Sequence, residues 1–144
     1  MKALINALLE EGLVTRDQLK DARDKQVGAK VPLQDLLVEM GFLDEQALME
    51  QASKVFNMPV SSIEEQRTDR EAVKLLPYEK AKRYGVLPLR LEDQSIVIAT
   101  SDPEDVVAMD DIGIITERKV KAVLCARDKI RKATEELYSS DESL

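Results

Sequence analysis

Few residues in this 144-residue chain are of types that do covalent or metal chemistry. It has no histidine, and so lacks the commonest general base and the commonest metal ligand. Its one cysteine, Cys125, stands in the alternating apolar run KVKAVLCA, without a neighbour that would stabilise a thiolate. That pattern predicts a small core residue rather than a nucleophile. The acid pairs Glu64-Glu65 and Asp110-Asp111 could suggest a divalent cation. Neighbours on a helix point about 100° apart, however, so Asp110 and Asp111 do not converge on one ion and read as a solvated face. The basic run Lys80, Lys82, Arg83 likewise reads as a solvated face. Glu104 and Asp105 suit the positive end of a helix better than catalysis. The five glycines, Gly12, Gly28, Gly41, Gly85 and Gly113, are too scattered for either the GxxxxGK[ST] or the GxGxxG phosphate cradle. The sequence therefore predicts a chain that is not an enzyme and needs no metal or cofactor.

Composition narrows the remaining classes. Hydrophobic residues make up 44% and charged residues 34%, as in ordinary globular domains. Net charge −7 and a pI near 4.8 oppose nucleic-acid binding, and 3% aromatics without tryptophan leave no base-stacking platform. No apolar run reaches the roughly 18 residues of a membrane span, and the acidic N-terminus is unlike a secretory signal. A single cysteine fits a reducing cytoplasm.

The elements follow from patterning. LLEEGLVTRDQL, residues 8–19, returns as LLVEMGFLDEQAL, residues 36–48, with Gly12 over Gly41 at an offset of 29 residues. Leu4 then overlies Leu33, Leu8 overlies Leu37, and Leu19 overlies Leu48. Such a period marks one supersecondary unit used twice, since a single unit cannot bury its apolar face alone. Helices are expected at 2–11, from Thr15 to about Gln26, at 32–40 and from Asp44. Gly12 and Gly41 would serve as left-handed caps, and Thr15 with Gln18 as a capping box. After Asn57-Met58-Pro59 comes a link or short edge strand, then short helices at 69–76 and over YEKAKRY, stopped by Gly85. The period then changes to two. VLPLRL puts Leu87, Leu89 and Leu91 on one face, SIVIA reads as a central strand, and Glu92-Asp93-Gln94 is a hairpin turn. Asp102 is the expected N-cap, with Pro103 in the first turn, of a helix to about Ile115. A strand at 119–126 and a helix from Asp128 to Tyr138 complete the chain, the strand–helix–strand order implying a parallel pair. The expected fold is α+β or α/β. A helical repeat subdomain at 1–57, four helices in two hairpins, is packed with a small α/β layer of three to four strands at 58–138. Residues 139–144 read as a disordered tail or the start of a linker.

The doubled pattern around Gly12 and Gly41, then LLPYEKAKRYGVLPL, SIVIATSDPEDVVAMDDI and IRKATEELY, resembles the N-terminal domain of type II secretion and type IV pilus assembly ATPases (an MshEN-like domain). The resemblance covers about residues 3–138. It implies a domain that precedes a hexameric motor and docks it onto an inner-membrane platform through the cytoplasmic part of a partner protein. It also implies that some members bind cyclic di-GMP through the repeated motif R-L-G-x-x-L-V-x-x-G-x(6)-L-x(3)-L-x-x-Q. The first copy here keeps Leu4, Leu8, Leu9, Gly12, Leu19 and Gln26, but has Ala3 for arginine, Ile5 for the first glycine and Arg23 for a leucine. The second keeps Leu33, Leu37, Val38, Gly41 and Leu48, with Pro32 for arginine, Gln34 for glycine, Ala52 for leucine and Val55 for glutamine. With both arginines gone, a phosphate loses its charge-assisted partners, and Lys2 is the one nearby substitute. The expectation is a docking or regulatory module of a secretion or pilus ATPase, bacterial and cytoplasmic, bound to the platform or the motor through its helical half. Any P-loop lies outside this chain, and cyclic di-GMP reception is the alternative.

Overall fold

The computed structural model describes residues 2–28 and 31–142. Within them lie eight α-helices and one three-stranded mixed sheet, an α+β fold. The chain divides after Met58 into two compact units. No helix among the described residues is long and apolar enough to cross a membrane.

The first unit holds α1 (Lys2–Glu10), α2 (Arg16–Gln26), α3 (Leu33–Glu39) and α4 (Glu45–Phe56). The repeat is visible in backbone detail. The Leu13 N–H donates to Leu8 O and the Gly12 N–H to Leu9 O; 29 residues on, Phe42 donates to Leu37 O and Gly41 to Val38 O, all at 3.0–3.1 Å. These are two copies of one Schellman cap, with Gly12 at φ +71° and Gly41 at φ +79°. Helix pairing is nested: α1 packs mainly on α4 and α2 on α3. Each copy thus buries its stripe against the other, as a repeat unit with one apolar face requires. Leu4, Leu8, Leu37 and Leu48 fill the core between them.

The starts of α2 and α4 differ in chemistry. Thr15 Oγ1 accepts from the Gln18 N–H at 3.1 Å, and Gln18 Oε1 accepts from the Thr15 N–H at 2.9 Å, a complete capping box. Asp44 occupies the equivalent place before α4 but makes no side-chain cap bond. Thr15→Ala should therefore lower stability by about 1 kcal/mol, and Asp44→Ala by less, in paired urea titrations.

The second unit contains a 3₁₀ turn (Ile63–Glu65), α5 (Arg70–Leu75), α6 (Tyr78–Tyr84), β1 (Val86–Glu92), β2 (Ser95–Thr100), α7 (Val106–Thr116), β3 (Lys119–Leu124) and α8 (Arg127–Glu142). The sheet order is β1-β2-β3, β1 antiparallel to β2 and β2 parallel to β3. A two-residue turn with Asp93 at φ +55° joins the hairpin. All six residues of β2 are buried, as a central strand's apolar run predicts. The expected edge strand near Val60 is one parallel bridge to Leu124.

Three local expectations are corrected. A β-bulge lies between Pro88 and Arg90, so strict alternation of Leu87, Leu89 and Leu91 fails there. The bulge suits Pro88, which has no N–H for a ladder, and the freed Leu89 carbonyl accepts from the Asp69 N–H at 2.6 Å. Asp102 is not the cap of α7. Its carbonyl accepts from the Asp105 N–H at 3.2 Å, closing a turn around Pro103, and Asp105 Oδ1 accepts from the Ala108 N–H at 3.1 Å. Asp-Pro suits the first two places of a turn as well as a helix start, and here the turn wins. Finally, α8 runs to Glu142 rather than ending at Tyr138, because no Gly or Pro in 139–142 stops it. Residues 143 and 144 of the expected tail lie outside the described residues.

Candidate functional site

Of the eleven retained motif positions, nine (all but Leu9 and Val38) are the candidate residual nucleotide site, and the structure separates them by role. Leu4, Leu8, Leu19, Leu37 and Leu48 are core residues, each no more than 4% exposed. Gly12 and Gly41 are helix caps around which an added Cβ would meet nothing within 4 Å. Their constraint is the left-handed backbone, not close approach of a neighbour. Gln26 and Leu33 line a cavity.

That cavity is a hollow of about 460 Å³ between α1, α2 and the start of α3, lined by Ile5, Asn6, Arg23, Gln26, Pro32, Leu33 and Gln34. Four of its seven walls, Ile5, Arg23, Pro32 and Gln34, are positions at which this sequence departs from the motif. Four of the seven departures thus gather in one place. Ile5 and Gln34, in place of close-approach glycines, are 8% and 3% exposed and fill space beside the hollow. Gln26 Nε2 donates to the Val31 carbonyl at 3.2 Å, while Gln34 Nε2 is buried without a hydrogen-bond partner. Arg23 is the sole cation among the lining residues. Sequence reasoning noted it as a lost leucine and missed it as a charge. Its spacing of three from Gln26, one helical turn, was the available signal. One guanidinium and two amides can hold a small acceptor, but they do not neutralise two phosphates.

Other candidates resolve into structure. Asp111 accepts from Tyr84 Oη at 2.5 Å and from Lys80 Nζ at 3.1 Å, which ties α7 to α6. The Tyr84 hydroxyl, followed by Lys80, holds the Asp111 carboxyl below its usual range, while the same hydrogen bond raises Tyr84. So Asp111 belongs to a network and Asp110 stands apart on the exposed face. Burial, then Asp105 nearby, raises the Asp102 carboxyl. Among the described residues no group of three or more His, Cys, Asp or Glu is placed to hold a metal ion.

Cys125 is fully buried, and burial pushes its thiol up to about 11. A raised pKa keeps the thiol protonated through neutral pH, and the unfolded chain regains an ordinary value near 8.5. A thiol-reactive dye at pH 8 should leave Cys125 unmodified in the native chain for hours. It should label completely within minutes in 6 M guanidinium.

The sequence of residues 56–144, which includes the whole sheet and α5 to α8, matches the family model of the MshEN domain. The chain belongs to the MshEN domain family. Kinship with the N-terminal domain of type II secretion and type IV pilus assembly ATPases, expected from the motifs, is thereby shown. This MshEN domain is 27% identical over 132 residues to the type IV pilus assembly ATPase PilB of Myxococcus xanthus, covering 92% of this chain and 23% of that protein. The chain spans less than a quarter of the length of the curated relatives it matches. A solved structure of MshE with cdg superposes with TM-score 0.70 at 28% identity, covering 94% of this chain and 98% of that one. The N-terminal domain of XpsE superposes with TM-score 0.76 at 21% identity, covering 93% and 92%, and shows the shared fold.

Proposed function

We propose that this MshEN domain is a non-catalytic docking and regulatory module of a type II secretion or type IV pilus assembly ATPase. It holds a motor that lies outside the chain to another component of the machine. The cytoplasmic part of the inner-membrane platform protein is the first partner to test and the motor domain the second. Its place is the cytoplasmic face of a bacterial inner membrane, reached through that partner. The observation that carries the reading is the hollow. Family membership supplies the domain type, and the motif positions that would face a ligand here carry one cation and two bulky side chains. What remains for a domain of this kind is surface recognition.

Biolayer interferometry of the full chain against the platform's cytoplasmic domain and, separately, against the motor tests this. Saturable binding to one of them is expected. Failure of both, at concentrations to 100 µM, overturns it.

One observation favours a second reading. MshE, the neighbour solved with cdg, shares 28% identity with this chain, and Arg23, Gln26 and Gln34 line the hollow. In that reading the domain receives cyclic di-GMP and signals to the motor, with Arg23 as the phosphate partner. Arg23→Ala would then abolish binding.

A further inference from the structure

Helix α7 carries an apolar face that nothing in its unit covers. Ala108, Ile112 and Thr116 are its buried side. Gly113 lets it close on the segment entering β3, since an added Cβ there would lie 3.3 Å from the Arg118 carbonyl. On the outside Val106 is 65% exposed, and Val107 and Ile114 are 75% exposed. Three of the five large apolar side chains that stand exposed among the described residues belong to this one helix. Val107, Asp110 and Ile114 follow the helical three- and four-residue spacing, and Glu117 continues the row, so the exposed row alternates aliphatic and acidic.

Charge defines what fits there. Residues 102–117 contain Asp102, Glu104, Asp105, Asp110, Asp111 and Glu117, and no lysine or arginine. That is six acids in a chain whose net charge is −7. Asp111 is engaged by Lys80 and Tyr84, and Asp105 caps α7. Glu104, Asp110 and Glu117 are exposed and in no ion pair shown among the described residues. A second copy of the same face would set like charges against each other, and an anionic membrane would be repelled.

We infer that the outer face of α7 is a docking surface for a basic amphipathic helix. That partner presents aliphatic side chains to Val106, Val107 and Ile114, with lysine or arginine interleaved to meet Glu104, Asp110 and Glu117. Apolar contact over the two turns from Val107 to Ile114, about 10.5 Å, supplies affinity, and the acids set orientation and exclude neutral or acidic helices. The inference rests on the docking reading and places the surface in the α/β unit rather than the helical one.

The test is NMR of the isotope-labelled full chain titrated with an 18-residue helical peptide of leucine and lysine. The controls are a serine-for-leucine peptide of equal charge and a glutamate-for-lysine peptide. Shifts should localise to α7 amides and the Val106, Val107 and Ile114 methyls. The serine peptide, and the leucine–lysine peptide on the Val107→Ser/Ile114→Ser double variant, should each bind at least about tenfold more weakly, as expected for loss of buried aliphatic contacts. The glutamate peptide should not bind. Shifts centred elsewhere, equal binding of the serine peptide, an unaffected double variant with an unchanged thermal melt, or concentration-dependent dimerisation through α7 each overturn the inference. Interferometry of the double variant against the platform and motor separates the two readings. Wild-type affinity there sinks the α7 surface and leaves docking standing, whereas a wild-type chain that binds neither sinks docking itself.

Discussion

Truncating Ile98 to alanine is expected to cost about 2–5 kcal/mol of folding stability, the range for deleting most of a buried aliphatic side chain. Ile98 is fully buried in β2, opposite Pro88 on one side and Ala122 on the other. Both neighbouring strands are hydrogen-bonded to β2, so the backbone cannot collapse onto the void. The loss combines transfer energy and unfilled cavity, and it is large against the 5–15 kcal/mol that holds a typical domain. Ile114→Ala, at a 75% exposed position, should stay within about 0.5 kcal/mol. Urea unfolding followed by circular dichroism distinguishes them. Equal effects at the two sites would mean that β2 is not the centre of the core.

The second large effect concerns ligand binding. Returning the missing cations, Ala3→Arg with Pro32→Arg, should raise cyclic di-GMP affinity well above that of the native chain. A charge-assisted hydrogen bond contributes about 1.5–3 kcal/mol, so each arginine that reaches a phosphate raises affinity by roughly tenfold to a hundredfold. Pro32 lines the hollow, and its replacement removes no side-chain cap from α3. Adding Ile5→Gly and Gln34→Gly should raise affinity further by opening space, at some cost in stability because both side chains are buried. If the arginines alone change nothing while the glycines do, sterics and not charge closed the site. Isothermal titration of the three chains in parallel gives the answer.

Local chemistry that depends on near neighbours was legible in the sequence. The Thr15–Gln18 box, the paired caps at Gly12 and Gly41 and the Asp93 hairpin lie within signals a few residues long, and the parallel β2–β3 pair follows from strand–helix–strand order. Boundaries that need competition between two legal conformations were not. Asp102-Pro103 can open a helix or a turn, and the bonds made by Asp105 decide it. The bulge at Leu89 was hidden because L-P-L-R-L alternates without a break. Its cause is an N–H that Pro88 does not have, and its carbonyl partner, Asp69, is distant in sequence.

The candidate site was legible only in part, and for the same reason. Periodicity identified the leucines, which proved to be core, and the glycines, which proved to be caps. That the departures Ile5, Arg23, Pro32 and Gln34 converge on one hollow depends on how α1, α2 and α3 meet, which no local window contains. Nor does the α7 face announce itself in VVAMDDIGIIT, where apolar residues lie all round the helix. Exposure separates Val107 and Ile114 from Ala108 and Ile112.

Recognition of a protein surface in place of a nucleotide is best checked by calorimetric titration of the native chain with cyclic di-GMP. Heats of dilution alone are expected up to 100 µM ligand. A saturable isotherm of one ligand per chain, abolished by Arg23→Ala, would contradict it.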